Sequence, residues 1–168
     1  MPKHYEILEK TKVPMTNFEK VGYTVAALIL VVMWIGLIVW LPYLPEEVPR
    51  HVSFTGEVSY DSKKMLLFLP SIASLMFIII APMRFAVTMM NFPVRVTEEN
   101  AAVLIHYNRH LMVHTLLSVI TLCVMIILAS IAVGYGWGAS LLLLSTCPFF
   151  VWIIGVLIYY YKRMKQVG

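Results

Sequence analysis

The chain has 168 residues, the length of one domain, and its composition is far more apolar than that of a soluble protein. Hydrophobic residues make up 60% and charged residues only 13%, against about 25% charged residues in typical globular domains. The net charge is +4, but no run of Lys and Arg with interleaved aromatic residues occurs. We therefore expect no nucleic-acid partner, and we expect lipid to surround most of the chain.

Four apolar segments are long enough to cross a bilayer core of about 30 Å as helices. The predicted spans are residues 21–41, 65–83, 111–133 and 139–161. The first is too long for the apolar part of a cleavable signal peptide, and no small-residue cleavage site follows it, so we expect it to stay as an anchor. The sequence therefore predicts an all-α membrane domain over residues 21–161, a bundle of four helices, with tails at 1–20 and 162–168.

Lys and Arg are distributed unevenly between the two sides of these spans. Ten lie in the tails and in or beside the loop 84–110: Lys3, Lys10, Lys12, Lys20, Arg84, Arg95, Arg109, Lys162, Arg163 and Lys165. The loop 42–64 contains three: Arg50, Lys63 and Lys64. The loop 134–138 contains none. Because cytoplasmic loops carry the excess of positive charge, both termini are predicted to be cytoplasmic and the loop 42–64 to face outward.

The outer loop, residues 42–64, begins with prolines and continues with two short alternating runs. Three prolines prevent the first helix from continuing: Pro42, Pro45 and Pro49. The alternating runs flank Gly56 and predict a short hairpin over the helix ends. The predicted register places Val52 opposite Tyr60 around a three-residue connection, 55–57, so that the apolar side chains share one face.

His51 has the widest chemical range in this loop, because a histidine can bind a metal or carry a proton. No second His or Cys lies on the predicted outer side, so two interpretations stay open. The ring either fixes the path of the loop by a hydrogen bond to its backbone or takes part in a metal or catalytic site. The predicted contact surface for a ligand or partner comprises Pro45, Pro49, His51 and Gly56.

A pattern of spaced residues covers this loop and the segment after the second span. It reads Leu44-Pro45-x-x-Val48-Pro49-x-His51 with Gly56, Asp61 and Lys63 behind it, then Asn91-x-Pro93-x-x-x-Thr97-Glu98-Glu99-Asn100. The pattern, within residues 40–100, resembles a family of bacterial membrane domains of unknown function, which also forms the N-terminal part of the Sdp-type immunity proteins. The resemblance implies a bacterial cytoplasmic membrane location. In the best-understood branch it implies resistance to a secreted toxic peptide and retention of a repressor at the membrane.

A long helix is predicted after Thr97, which is a suitable cap, and no breaker follows up to residue 133. The helix is longer than a bilayer core, so its first turns are expected to extend into the cytoplasm. His106, His110 and His114 share one face at intervals of four. They indicate a polar stripe at the lipid headgroups, a pH-sensitive contact, or a metal or haem site using His106 and His110, with His4 as an added ligand.

The predicted spans contain no Asp, Glu, Lys or Arg. This argues against a self-contained transporter, because ion-coupled transport places charges at depth. Small residues near the outer turn permit close packing of helices. This packing can occur within one chain or between two copies, so the sequence is compatible with a homo-oligomer. The sequence thus favours a non-enzymatic membrane protein that recognises a peptide or a regulatory protein, and no cofactor is predicted. A metal- or haem-binding membrane enzyme and an accessory subunit of a transporter are the alternatives.

Overall fold

A computed structural model describes residues 3–53, 55 and 57–168. The helices and strands are α1 (Lys3–Lys10), α2 (Asn17–Trp40), β1 (Glu47–Val52), β2 (Val58–Ser62), α3 (Phe68–Met83), α4 (Ala101–Gly134) and α5 (Ser140–Lys165). Among the described residues, α2, α3, α4 and α5 are long and apolar enough to cross a membrane, α3 together with the short helical turn that precedes it. The prediction of four long apolar helices is confirmed, as expected for a multi-pass membrane protein.

The main apolar core lies between α2, α3 and α4. Its buried members are contributed by all three helices, and they include Ala26, Leu30, Ala73, Val113, Leu116 and Ile120. Helix α5 packs along another side of α4, and most of its large apolar side chains are exposed. In a membrane those exposed side chains contact lipid, so the bilayer replaces the missing protein layer.

A second core closes the end of the bundle that carries both chain termini, here called the terminal end. Leu8 of α1 is only 1% exposed and packs with Leu104 and Ile105 of α4 and with Tyr160 of α5. The N-terminal residues 1–20, expected to form a tail, therefore include a packed helix and the first turn of α2. The early part of α4, expected to extend beyond the membrane, is packed among these residues.

Helix α4 begins three residues after the predicted start at Glu98. The segment Glu98–Asn100 forms a turn, and the helix runs from Ala101 to Gly134. Thr97 and Asn100 bond each other: the Thr97 N–H donates to Asn100 Oδ1 (2.9 Å) and the Asn100 N–H donates to Thr97 Oγ1 (3.3 Å). The Thr97 side chain thus accepts a backbone N–H as a helix cap does, but it caps the turn Glu98–Asn100 and not α4 itself.

The predicted hairpin is present, but the predicted register is wrong. Val52 lies opposite Val58, not Tyr60, and the ladder shifts between Pro49 and His51. The proline has no N–H to donate to the ladder, which favours a bulge at this point. The bulge lets Val48 and Val52 both be buried while Tyr60 stays exposed. Phe54 and Gly56, which the prediction also used, lie outside the described residues.

Candidate functional site

The hairpin packs against the C-terminal end of α4. Val48 is 2% exposed and belongs to the main core. Gly134 ends α4 beneath it: a Cβ built on Gly134 would lie 3.6 Å from Pro45 and 3.8 Å from Val48. Beside this contact the Tyr135 hydroxyl donates to the Tyr43 carbonyl at 2.9 Å. These contacts hold the strands against the end of α4.

Polar bonds join the two ends of the hairpin. The Lys63 ammonium donates to the Leu44 carbonyl (3.2 Å) and to Glu46 Oε1 (3.0 Å). Arg50 on β1 pairs with Asp61 on β2 at 3.4 Å. Exposed pairs of this kind contribute about 0–1 kcal/mol each, so their main effect is to set the hairpin geometry. Leu44, Asp61 and Lys63, members of the spaced pattern, thus have structural contacts.

The four residues predicted as the contact surface have different surroundings. Pro45 is half-buried over Gly134, and Pro49 is buried within β1. His51 is exposed, and its ring makes no hydrogen bond to another described residue. Gly56 lies outside the described residues. Of the three that are described, His51 is the one whose side chain is available to a partner from solution.

The three histidines of α4 lie along one face, as their spacing requires. The ring centroids of His106 and His110 are 4.1 Å apart. The ring of Phe18 on α2 lies beside the second and third histidines, with its centroid 4.6 Å from that of His110 and 5.0 Å from that of His114. Tyr160 of α5 lies 5.7 Å from His114. His110 and His114 therefore lie against other helices, and His106, His110 and His114 are each half-buried.

We find no arrangement of ligands for a metal ion in the described part of the chain, where no group of three His, Cys, Asp or Glu side chains is suitably placed. The added ligand considered from the sequence, His4, lies exposed on α1 with its ring centroid 4.0 Å from that of Tyr5. His106 and His110 are thus two neighbouring imidazoles without a third suitable ligand among the described residues.

Next to the histidine row lies a buried carboxyl group that the sequence analysis did not single out. Glu19 of α2 is 1% exposed. Its Oε2 accepts hydrogen bonds from the Thr16 N–H (2.6 Å) and the Thr16 hydroxyl (2.9 Å). The same hydroxyl oxygen lies 3.0 Å from Nε2 of His110. Thr16 therefore connects a buried carboxyl group to an imidazole on another helix.

Buried polar atoms without partners surround this connection. Within the described residues they are Glu19 Oε1, Tyr23 Oη and Arg84 Nε. Tyr23 follows Glu19 by one helical turn, and the Arg84 guanidinium carbon lies 5.4 Å from the centre of its ring. The ion pairs found in the described residues belong to the hairpin, and Glu19 takes part in none of them. Buried polar atoms need hydrogen-bond partners, and a bound water can supply them.

Arg109 of α4 donates hydrogen bonds to two other segments of the chain. Its Nε donates to the Arg84 carbonyl (3.1 Å), just after α3, and its Nη1 donates to the Val13 carbonyl (2.8 Å), just before α2. The Arg84 carbonyl lies at the C-terminal end of α3, where carbonyls lack a partner within the helix, and the Val13 carbonyl lies in the segment between α1 and α2. The guanidinium thus fixes the position of the start of α2, where Thr16 and Glu19 lie.

A sequence signal for Glu19 exists. Thr16-x-x-Glu19 before an apolar run is the pattern of a capping box, and both of its bonds are present. With the first span predicted to begin at residue 21, Glu19 falls in the predicted tail 1–20. The capping pattern is then not connected with the start of a membrane helix. The pattern predicts the capping bonds but not the burial of Glu19, which depends on how the helices pack together.

The fold and these two ends define a class: a helical membrane protein with four candidate spans, a fixed hairpin at one end and a buried polar group at the other. Comparison with known proteins finds no family model, no curated protein and no solved structure that matches the chain. The resemblance of the loop pattern to a bacterial domain family therefore stays an expectation.

Proposed function

We propose that this chain is a multi-pass protein of a bacterial cytoplasmic membrane that acts by binding another molecule and not by catalysing a reaction. The hairpin is the contact surface, and a secreted peptide is its partner. The observation that supports this proposal is the fixed hairpin, held by Val48 from below while His51 stays exposed. A surface that is ordered before binding loses little conformational freedom when a partner binds.

The outward side of the hairpin carries residue types that contribute strongly to interfaces. Tyr60 is 54% exposed, and Arg50 and His51 are exposed beside it on the paired strand. Tyr and Arg are enriched among the residues that dominate binding energies. A peptide that contacts this side would therefore meet a polar and aromatic surface.

We place the hairpin outside the cell and both termini in the cytoplasm. The support is the distribution of positive charge, with ten of the 13 Lys and Arg on the side of the termini. The packing agrees with this division, because α1, the start of α4 and the end of α5 share the core at the terminal end. A secreted peptide would then reach the hairpin without crossing the membrane.

Protection of bacterial cells tests the proposal. Cells with and without the gene are exposed to a panel of secreted antimicrobial peptides, and survival is counted. We expect survival to rise with the gene, and the double variant Arg50→Ala/His51→Ala to lose this gain. The matched control is Lys64→Ala, an exposed change at the same end that should keep protection. Equal survival with and without the gene across the panel, at equal protein levels, would refute the proposal.

A further inference from the structure

We propose that Glu19, Thr16 and His110 form a proton-binding relay at the terminal end of the bundle, in which the Thr16 hydroxyl passes a proton between the carboxyl group and the imidazole. This site lies at the opposite end from the hairpin and is independent of the function proposed above. Its ligand is the proton, and the route joins a carboxyl group that is 1% exposed to a half-buried ring.

The distances fit a continuous chain of hydrogen bonds. Thr16 Oγ1 lies 2.9 Å from Glu19 Oε2 and 3.0 Å from His110 Nε2. Both values are within the range for O–H···O and N–H···O bonds. A hydroxyl can donate one bond while it accepts others, so Thr16 can serve both neighbours at the same time.

The transfer balances without any other reactant. In the first state the Glu19 carboxyl O–H donates to Thr16 Oγ1, and the Thr16 O–H donates to the unprotonated Nε2 of His110. The carboxyl O–H bond and the Thr16 O–H bond break, while a new O–H bond forms on Thr16 and an N–H bond forms on His110. In the second state the Thr16 hydroxyl donates to the carboxylate, and the imidazolium N–H donates to Thr16. The same heavy-atom positions serve both states.

His106 lies beside His110 on the same face of α4, with the two ring centroids 4.1 Å apart. Charged or titratable side chains from each neighbouring element face this region: Tyr23 on α2, Arg84 after α3, His106, Arg109 and His114 on α4, and Tyr160 on α5. Glu19 Oε1, Tyr23 Oη and Arg84 Nε lack partners among the described residues, so they are the groups to which a water at this site would bond.

Coupled titration in lipid nanodiscs tests the relay. The full chain carries labels in its Glu carboxyl carbons and His ring nitrogens, and magnetic resonance follows both through a pH series. The signals are assigned with Glu19→Gln and His110→Asn. We expect the Glu19 and His110 signals to follow the same pair of macroscopic steps. Thr16→Ser keeps a hydroxyl and should keep these shared steps, whereas Thr16→Val should separate them.

Thr115→Val is the matched control, because Thr115 is a half-buried threonine of α4 outside the relay, and its loss should leave the shared steps intact. Should Thr16→Val fail to fold, Glu19→Gln decides, because it should remove from the His110 curve the step that His110 shares with Glu19. An unchanged His110 curve in folded Glu19→Gln protein would overturn the proposal, as would shared steps that persist in folded Thr16→Val protein.

Discussion

Two glycines of α2 differ in what surrounds them. A Cβ built on Gly22 would overlap Cγ1 of Val113 on α4, whereas one built on Gly36 would meet nothing within 4 Å. We predict that Gly22→Ala lowers the free energy of unfolding by about 1–3 kcal/mol through overpacking. Gly36→Ala should raise it by about 0.5–1 kcal/mol, because alanine loses less backbone entropy in a helix. Denaturant unfolding in detergent, followed by circular dichroism, measures both.

A compensating change separates close packing from helix propensity at Gly22. The double variant Gly22→Ala/Val113→Ala removes the overlapping methyl groups, so it should be more stable than the sum of the two single changes predicts. Additive effects would mean that Gly22 and Val113 do not contact each other as the structure shows. Gly36→Ala combined with Val113→Ala should be additive and serves as the control.

At the level of single residues, the sequence predicts which side chains share a helix face, but not which of them are buried. The spacing of His106, His110 and His114 placed them on one face, and the structure agrees. The sequence did not show that Glu19 is buried, because burial depends on how the helices pack against one another. Arg84 and Arg109 were counted as charges that set orientation, yet their guanidinium groups also bind Met15 sulfur and backbone carbonyls within the protein.

At the level of elements, long apolar helices and the hairpin were predictable, while ends and registers were not. The length of an apolar segment is enough to identify a candidate span, so the sequence predicts the four long helices α2, α3, α4 and α5. The register of the hairpin depends on which strand residues pack on α4, and on the bulge after Pro49. The alternating pattern is the same for registers that differ by two residues, so the sequence could not choose between them.

Disulfide formation distinguishes the two registers of the hairpin. Both native cysteines are first replaced by alanine, and a pair of cysteines is placed on the strands. We predict that Val52→Cys/Val58→Cys forms a disulfide under mild oxidation, because paired residues of antiparallel strands have Cα atoms about 4.5–5.5 Å apart. The pair Val52→Cys/Tyr60→Cys, which is diagonal at about 7–8 Å, should stay reduced. Mass spectrometry after alkylation measures both, and the opposite result would restore the register read from the sequence.

At the level of the whole molecule, the two ends of the bundle have different chemistry. The hairpin end presents exposed polar and aromatic side chains over a fixed apolar base, whereas the terminal end buries polar groups between helices. The proposed peptide contact needs the first end to face outward, while the proton relay depends on neither orientation. Orientation therefore decides which compartment each site meets.

Labelling of single cysteines in intact cells decides the orientation. In a background without the native cysteines, Ser59→Cys lies on the hairpin and Glu9→Cys and Lys165→Cys lie at the terminal end, all at exposed positions. We predict that a membrane-impermeant maleimide labels the Ser59 variant in intact cells and the other two only after permeabilisation, because ten of 13 Lys and Arg should be cytoplasmic. Labelling in the reverse pattern would remove the peptide proposal, since a secreted peptide could not reach the hairpin. The relay would survive that result, but it would then exchange its proton with the exterior.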